Sequence, residues 1–269
     1  MTDQSKALVQ AQFGANAANY ATSSVHAKGA SLSRLVELVQ PKANWSALDV
    51  ATGAGHTAAA FAPLVASVIA SDITPEMLAE AKKIAADKGL SNMTTATADA
   101  EKLPFADATF DLVTCRIAPH HFPNIEAFAA EVTRVLKPGG TFALVDNISP
   151  DASTTTGFAD AALEDAEKAY NAFEKLRDPS HGRALTTGEW QDVVLDAGMT
   201  ITHIEHQPKA MDFAAWCKNM SVDAPTTERL TAMLDNASPA LQSFLQPTNL
   251  YGKRSMVLSE LILIATKDA

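Results

Sequence analysis

From about residue 46 onward, the chain alternates between two hydrophobic patterns. Short apolar runs such as Ser67–Asp72 and Phe110–Arg116 have the length and composition of buried strands. The segments between them place apolar residues three or four positions apart, as in Met77, Leu78 and Ala81, which is typical of a helix with one buried face. Strands that alternate with helices predict an α/β protein. Strands are expected at about 46–52, 67–72, 93–98, 110–116, 141–145, 200–206 and 257–265.

Residues that cap helices mark several of the helix boundaries. Thr74 is expected to cap a helix that begins at Pro75, because proline fits the first helical position. Asn124 is expected to cap the helix that follows the fourth strand. Thr186 and Glu189 have the spacing of a capping box, which predicts another helix start.

The segments that flank the core at 45–150 follow a different pattern. Residues 1–40 are predicted to be helical, and they either pack over the sheet edge or form an N-terminal lid, since Tyr20 and the small residues around it suit a movable cover. Segments 151–185 and 208–250 are expected to be accessory helices over the substrate site. Without repeats or low-complexity linkers, residues 1–269 are predicted to form a single domain.

Composition disfavours several kinds of partner. The formal net charge is −10, from 21 basic and 31 acidic residues, and no cluster of basic residues stands out, which disfavours nucleic acid and anionic membranes. Cys115 and Cys217 are too few and too far apart for a disulfide framework or a cysteine metal site. Residues 1–6 lack the apolar region of a leader, and no stretch is long enough to span a membrane, so a cytoplasmic location is expected.

The stretch Ser46–Ala59 is the segment around which the predicted core is organised. An apolar strand leads into a turn that contains Gly53 and Gly55, and a row of small helix formers follows. Glycine lets the backbone bend sharply and approach a ligand closely, and the N–H groups at a helix start attract an acidic group. The turn therefore predicts a nucleotide-binding site.

Two cofactors are compatible with this turn. Gly53, Gly55 and Ala58 formally match a dinucleotide fingerprint, and the spacing to Asp72 would suit the ribose of NAD. Asp49 would repel a pyrophosphate but suits a ligand with a cationic end, which favours S-adenosylmethionine. Alternatively, Asp49 caps the turn by accepting hydrogen bonds from nearby N–H groups.

Two further acidic residues follow predicted strands. Asp72 ends the second strand, where a carboxylate can accept hydrogen bonds from both hydroxyls of a ribose. Asp99 follows the third strand and is a candidate acceptor for the exocyclic amine of an adenine, with Leu103 or Phe105 near the ring. Both acids would lie on the edge of the sheet that carries the glycine turn.

The loop after the fourth strand carries the candidates for catalysis. His120 and His121 are candidate general bases, because histidine titrates near neutral pH, and the alternative is a supporting or surface position. Arg116 is expected to contact the cofactor or an acidic acceptor, or to pair with a carboxylate. Asp146 and Asn147 are candidates to shape the acceptor site. No second cluster at ligand spacing accompanies the histidines, so no metal site is predicted.

Five segments together carry a resemblance to a known family. They are Leu48–Gly55, Ser71–Leu78, Asp99–Phe105, Phe110–Val113 and Arg134–Gly140. In this order the chain closely resembles the class I S-adenosylmethionine-dependent methyltransferases, in the small-molecule branch that includes the ubiquinone/menaquinone C-methyltransferases. The likeness covers about residues 45–150, and its motifs are highly specific taken together.

The resemblance implies a fold and a cofactor site. The implied fold is a Rossmann-like three-layer sandwich with a seven-stranded, mostly parallel sheet of order 3-2-1-4-5-7-6, whose last strand is antiparallel. The residues around Gly53 and Gly55 would hold the methionine end of S-adenosylmethionine, Asp72 the ribose and Asp99 the adenine. The predicted cofactor site comprises Tyr20, Asp49, Ala51, Thr52, Gly53, Gly55, Asp72, Ile73, Met77, Asp99, Ala100 and Arg116.

The expected activity is the transfer of a methyl group from S-adenosylmethionine to an O, N or C nucleophile of a small-molecule acceptor, by a monomer or homodimer. This displacement needs a base only if the acceptor must lose a proton. Two alternatives remain open from the residues alone. One is an NAD-linked oxidoreductase, although the chain has no catalytic Tyr-x-x-x-Lys set. The other is a non-catalytic S-adenosylmethionine-binding protein that acts through a partner.

Overall fold

A central β-sheet organises the structure. The computed structural model describes residues 2–22 and 29–268. Within these ranges, eight strands form one sheet. They are β1 (Ser46–Val50), β2 (Ser67–Asp72), β3 (Met93–Thr97), β4 (Phe110–Arg116), β5 (Leu136–Asn147), β6 (Met199–Asp212), β7 (Thr248–Leu250) and β8 (Lys253–Lys267).

The strand order is β3-β2-β1-β4-β5-β8-β6, and β7 pairs with β8 beside this path. Strands β1 to β5 pair in parallel, whereas β8 is antiparallel to both β5 and β6. The predicted α/β class, mostly parallel sheet and antiparallel last strand are therefore confirmed. The predicted number of strands was short by one. The difference is β7, which lies at the end of a segment that was expected to be helical and pairs with the start of β8.

Helices cover both faces of the sheet. Two short 3-10 turns, Ala62–Leu64 and Pro119–His121, supplement the α-helices of the described residues. The α-helices are α1 (Thr2–Thr22), α2 (Ala30–Val39), α3 (His56–Phe61), α4 (Pro75–Asp87), α5 (Ile125–Val135), α6 (Asp160–Arg177), α7 (Thr187–Asp196), α8 (Phe213–Lys218), α9 (Ala224–Asp235) and α10 (Pro239–Leu245).

Two hydrophobic clusters form the core, one on each face of the sheet. Leu48 of β1 packs in the cluster that includes Phe128 of α5 and Trp190 of α7. Ala47, its neighbour along β1, packs in the cluster that includes Leu35 of α2. Successive side chains of a strand point to opposite faces, so one buried strand contributes to both clusters. This explains why the central strands are apolar throughout rather than alternating.

The predicted helix caps are mostly present. Asn124 accepts a hydrogen bond from the Ala127 N–H at 2.9 Å. Thr186 and Glu189 form the expected capping box. Thr74 occupies the cap position of α4, but its side chain makes no capping bond. Its own N–H instead donates to Asp72 Oδ1 at 2.8 Å, which links the end of β2 to the start of α4.

The segment 208–250 differs most from expectation. Its first residues extend β6, because pairing with β8 continues to the register Asp212↔Ser255. Helices α8 to α10 follow and pack against α6 in a third hydrophobic cluster. In this cluster the ring of Trp216 stacks on that of Phe173, with centroids 5.0 Å apart.

Arg134 of α5 holds the irregular segment that follows β3. Its guanidinium donates to the carbonyl oxygens of Phe105, at 2.7 Å, and Leu103, at 3.0 Å. It also donates to both carboxylate oxygens of Glu131, one of which accepts the Leu103 N–H at 2.6 Å. Since hydrogen bonds to charged groups are stronger than neutral ones, this arrangement fixes the loop that carries Asp99.

Replacing Arg134 should therefore destabilise the protein. We expect Arg134→Met to lower the free energy of unfolding by about 1–3 kcal/mol, because charge-assisted bonds to two carbonyl groups and a carboxylate are lost. Arg254→Met is the matched control, since Arg254 pairs with Asp235 at the surface and its loss should cost at most about 1 kcal/mol. Urea unfolding of both variants tests this, and equal losses would contradict the role of Arg134.

Candidate active site

A cleft lies at the carboxyl ends of β1, β2 and β4, where the strand order reverses beside β1. Ligands of open α/β sheets bind at such a point. The cleft spans about 1000 Å³, including the solvent in its open mouth. The predicted site residues that line it are Ala51, Thr52, Gly53, Asp72, Ile73, Met77, Asp99, Ala100, Arg116 and His121.

Three predicted site residues whose side chains the structure describes are not among those that line the cleft. Asp49 lies beneath the turn, and Gly55 lies where the turn packs against α4 and β3. His120 is buried behind the cleft. Tyr20 belongs to α1, but its side chain lies outside the described residues.

Asp49 holds the turn together from below. The hydroxyls of Thr52 and Thr114 donate to its two carboxylate oxygens, and the Ala58 N–H donates to Oδ2 at 3.1 Å. Only 1% of Asp49 is exposed, and burial raises its pKa to about 6, although the bonds from Thr114 and Thr52 oppose the rise. The bond from Ala58 agrees with the alternative in which Asp49 caps the turn, and its contact with the cationic end of a ligand stays a prediction.

Gly55 lies where the glycine turn packs against α4 and β3. It lies at φ +87°, and a Cβ atom there would be 2.8 Å from the Cβ of Ala81 and 2.9 Å from the Cε of Met93. Gly53 also has a positive φ, +55°, but a Cβ atom there would have no neighbour within 4 Å. The first glycine thus shapes the surface of the cleft, and the second lets the turn pack against α4 and β3.

Asp72 connects the glycine turn to the next helix. Its Oδ2 accepts the Gly53 N–H at 2.9 Å, and its Oδ1 accepts the Thr74 N–H at 2.8 Å. Burial raises the pKa of Asp72, although these backbone bonds oppose the rise. A carboxylate oxygen can accept more than one hydrogen bond, so both oxygens retain acceptor capacity.

Asp99 is paired with a lysine that the sequence did not single out. Lys6 of α1 lies 2.6 Å from Asp99 Oδ2 and 2.6 Å from Glu101 Oε2. The Glu101 N–H donates to Asp99 Oδ1 at 3.0 Å. Burial acts to lower the pKa of Lys6, but the two carboxylates outweigh it and raise the pKa.

One face of helix α1 lies along the cleft. Besides Lys6, it places Gln10 within 2.8 Å of the Ile73 carbonyl and the ring of Phe13 5.0 Å from that of His121. These three residues are four and three positions apart, which puts them on the same side of a helix. That spacing is the sequence signal that identifies them, but the residues they contact are remote in the chain.

The two adjacent histidines have different surroundings. His121 lines the cleft, and its Nδ1 lies 3.1 Å from the Ser180 carbonyl oxygen. His120 Nδ1 lies 2.6 Å from Asp146 Oδ1, and its backbone N–H donates to Asp146 Oδ2 at 2.9 Å. The sequence could not show which of the two histidines lines the cleft, because they are adjacent in one 3-10 turn.

Their pKa values are shifted in opposite directions. Burial, together with the charge of His120, lowers the pKa of His121 to about 3. Burial acts in the same direction on His120, but the carboxylate of Asp146 outweighs it and raises the pKa of His120 above its ordinary value. Burial also raises the pKa of Asp146, although the charge of His120 opposes the rise.

Arg116 ends β4 and brings a cation to the cleft. Its Nε donates to the Thr57 hydroxyl at 3.0 Å. Burial lowers the pKa of Arg116, and the carboxylates of Glu260 and Asp49 oppose this shift. The guanidinium therefore lies between the start of α3 and the acidic residues behind the cleft.

Two further properties concern the described ranges, 2–22 and 29–268, alone. They contain no group of three or more His, Cys, Asp or Glu residues that could hold a metal ion. None of their helices has both the length and the apolar character needed to cross a bilayer.

The fold is that of a mostly parallel α/β protein with a cleft where its strand order reverses, and comparisons with known proteins identify the class. Residues 48–144 match the family model described as a methyltransferase domain. The chain is 34% identical to the uncharacterized methyltransferase YcgJ of Bacillus subtilis over 226 residues. These aligned residues are 84% of this chain and 85% of YcgJ. The chain therefore belongs to the methyltransferase family.

Two further similarities extend this result. The crystal structure of YcgJ matches with a TM-score of 0.81 and 32% identity, over 89% of this chain and 98% of that one. The ubiquinone/menaquinone biosynthesis C-methyltransferase UbiE of Brucella anthropi is 33% identical over 177 residues, which are 64% of this chain and 60% of UbiE. The predicted family resemblance is thus confirmed.

The two glycines of the turn should respond differently to substitution. We expect Gly55→Ala to lower the free energy of unfolding by roughly 2–4 kcal/mol, because a left-handed backbone and a steric clash act together. Gly53→Ala should cost at most about 2 kcal/mol, since only the backbone conformation is unfavourable. Chemical denaturation measures both values, and a loss at Gly53 as large as that at Gly55 would refute the packing role.

Proposed function

We propose that this methyltransferase transfers a methyl group from S-adenosylmethionine to a small-molecule acceptor. The observation that carries the proposal is the presence of Asp72 and Asp99, at the ends of neighbouring strands, in the same cleft as the glycine turn. Membership of the methyltransferase family supports this cofactor over NAD, although the glycine spacing alone allows both.

The chemistry of the cleft fits such a cofactor. Asp72 would accept hydrogen bonds from the ribose hydroxyls, since both of its oxygens keep acceptor capacity beside their backbone bonds. Asp99 and Ala100 would contact the adenine, and the side chains of Ile73 and Met77 offer an apolar surface to the ring. Lys6 would have to share Asp99 with the adenine amine or remain on Glu101 alone.

The methionine end would lie over the turn at Ala51–Gly53. Arg116, which lines this part of the cleft, would pair with the carboxylate of the methionine moiety. Asp49 would contribute indirectly, because it holds Thr52 and the start of α3 in place.

When bound, S-adenosylmethionine supplies an electrophilic methyl group on a positively charged sulfur. The chain would contribute position, by holding cofactor and acceptor in line. His121, the histidine that lines the cleft and stays neutral, would accept a proton from the acceptor. His120 is engaged with Asp146 and would support the turn instead. Of the two histidines predicted as candidate bases, only His121 is therefore proposed as the base.

We also propose that α1 is a lid over the cofactor. Its contacts extend from Asp99, through the Ile73 carbonyl, to His121, and they cover the cleft from the proposed adenine end to the proposed acceptor end. A cover of this kind excludes water and must open for exchange of the cofactor.

Binding of S-adenosylhomocysteine tests the cofactor assignment. Asp72→Asn should weaken binding at least tenfold, or about 1.4 kcal/mol, because one acceptor oxygen is replaced by an amide donor. Asp87→Asn, an exposed change at the end of α4, should leave the affinity unchanged. Calorimetry gives both dissociation constants, and thermal unfolding checks that Asp72→Asn is folded. Binding of NAD alone would reject the proposal.

The acceptor is tested separately, with radiolabelled S-adenosylmethionine and a panel of phenols, alcohols, amines and activated carbon acids. Methyl transfer to a member of the panel is the expected result. Tight cofactor binding without transfer to any of them would favour the alternative of a non-catalytic protein that acts through a partner.

The lid has its own test. Lys6→Ala should speed dissociation of S-adenosylhomocysteine by roughly threefold or more, because the ion pairs that hold α1 closed are lost. Gln4→Ala changes an exposed residue of the same helix and serves as the control. Stopped-flow displacement measures the rates, and the lid proposal fails if the two variants release the ligand at the same rate.

A further inference from the structure

The loop that follows α6 is fixed against the turn that carries the two histidines. The N–H groups of Gly182 and Arg183 both donate to the His120 carbonyl oxygen, at 2.8 and 3.0 Å. A Cβ atom on Gly182 would lie only 2.9 Å from that oxygen. The loop can therefore approach this closely only with glycine at position 182.

Asp178 gives the loop its shape. Its Oδ1 accepts the Ser180 N–H at 2.8 Å and the Ser180 hydroxyl at 2.6 Å. The Asp178 carbonyl oxygen accepts the His181 N–H at 2.9 Å. Asp178 and Ser180 are both buried. The Ser180 hydroxyl therefore uses its proton in the bond to Asp178. Towards other groups, the hydroxyl and carbonyl oxygens of Ser180 act as hydrogen-bond acceptors.

Those acceptors face His121. The Nδ1 atom of His121 lies 3.1 Å from the Ser180 carbonyl oxygen and 3.3 Å from its hydroxyl oxygen. Because a carbonyl oxygen cannot donate, the proton of this hydrogen bond must be on Nδ1. A neutral imidazole that is protonated on Nδ1 has its lone pair on Nε2. The edge-to-face contact with Phe13 restrains the ring further.

We propose that Asp178 and Ser180 are positioning residues that hold His121 in the Nδ1-protonated form, with Nε2 as the proton acceptor of the cleft. The acceptor molecule then carries an O–H or N–H group at its nucleophilic atom. This inference rests on the proposed methyl transfer, and it narrows the class of acceptors. The surroundings of His121 agree with a neutral imidazole, since burial and the charge of His120 keep the pKa of His121 low.

A lone pair on the acceptor oxygen or nitrogen forms a bond to the methyl carbon, while the carbon–sulfur bond breaks and its electron pair stays on sulfur. The O–H or N–H bond breaks, and its proton passes to His121 Nε2, which becomes an imidazolium. Even a weakly basic imidazole can take this proton, because methylation makes the nucleophilic atom far more acidic.

Nitrogen NMR of the ¹⁵N-histidine-labelled protein tests the tautomer without any acceptor. His121→Gln assigns the resonances. In the unchanged protein, His121 should show a protonated Nδ1 and an unprotonated Nε2 near neutral pH. The proposal is overturned if His121 is protonated on Nε2 instead.

Variants of the loop test the positioning role. Asp178→Ala should convert His121 to a mixture of tautomers, whereas Asp178→Asn should retain the single form, because its amide oxygen can still accept from Ser180. Asp223→Ala is the control, since Asp223 also accepts a backbone N–H but caps α9 away from the histidines. Unchanged His121 signals in Asp178→Ala would reject the role.

Gly182→Ala gives an independent test if Asp178→Ala does not fold. It should displace the loop from the His120 carbonyl and mix the His121 tautomers, while Gly188→Ala, where a new Cβ has room, should not. A single tautomer in Gly182→Ala would count against the proposal. Once an acceptor with an O–H or N–H group is found, Asp178→Ala should reduce its methylation roughly tenfold or more, with Asp178→Asn restoring the rate.

Calorimetry separates this inference from the proposed function. The affinity for S-adenosylhomocysteine should be the same in Asp178→Ala and the unchanged protein, because Asp178 is not among the residues that line the cleft. If the unchanged protein does not bind S-adenosylhomocysteine, the proposed function fails while the tautomer result still stands by itself. If the unchanged protein binds S-adenosylhomocysteine but His121 is protonated on Nε2, the proposed positioning of His121 by Asp178 and Ser180 fails and the proposed function does not.

Discussion

The parallel pairing of β1 with β2 on one side and with β4 on the other is the constraint on which the cleft depends. The chain leaves β1 towards β2 and β3 on one side, and it crosses back to β4 on the other. The connections at the carboxyl end of β1 therefore diverge, and a crevice remains between them. The glycine turn, the end of β2 and the loop after β4 meet there because of strand order and not because of any single side chain.

Buried carboxylates stabilise this edge of the sheet. Asp49 accepts hydrogen bonds from the glycine turn, α3 and β4, and Asp72 links the glycine turn to α4. A buried carboxylate is unfavourable unless hydrogen bonds compensate its desolvation. The backbone and hydroxyl donors supply this compensation, and the same bonds fix the geometry of the turn. Asp72 also lines the cleft, whereas Asp49 is buried beneath the turn.

The other end of the cleft depends on contacts between distant segments. The histidine turn follows β4, Asp146 ends β5, the Asp178–Gly182 loop follows α6, and Phe13 comes from α1. Strand β5, the loop after α6 and helix α1 each contact His120 or His121. As a result, two neighbouring residues with the same side chain differ in partner, in pKa and in proposed role.

The sequence by itself determined the features that depend on local patterns. Strand positions, the caps at Asn124 and Thr186, and the acidic ends of β2 and β3 all follow from periodicity or short spacing, and the structure contains them. Family motifs added the order of the central strands. These features were predictable because the interactions that produce them lie within a few residues of one another, or within one strand–helix unit.

Only the tertiary structure decided the burial of Asp49, the packing of Gly55, the contact of Lys6 with Asp99 and the different partners of the two histidines. The short strand β7 likewise exists through its pairing with β8. Lys6 and Asp99 are 93 positions apart, and His121 and Ser180 are 59 apart. Hydropathy patterns carry no information about such partners, because contact across these distances is fixed by how helices and loops pack on the completed sheet.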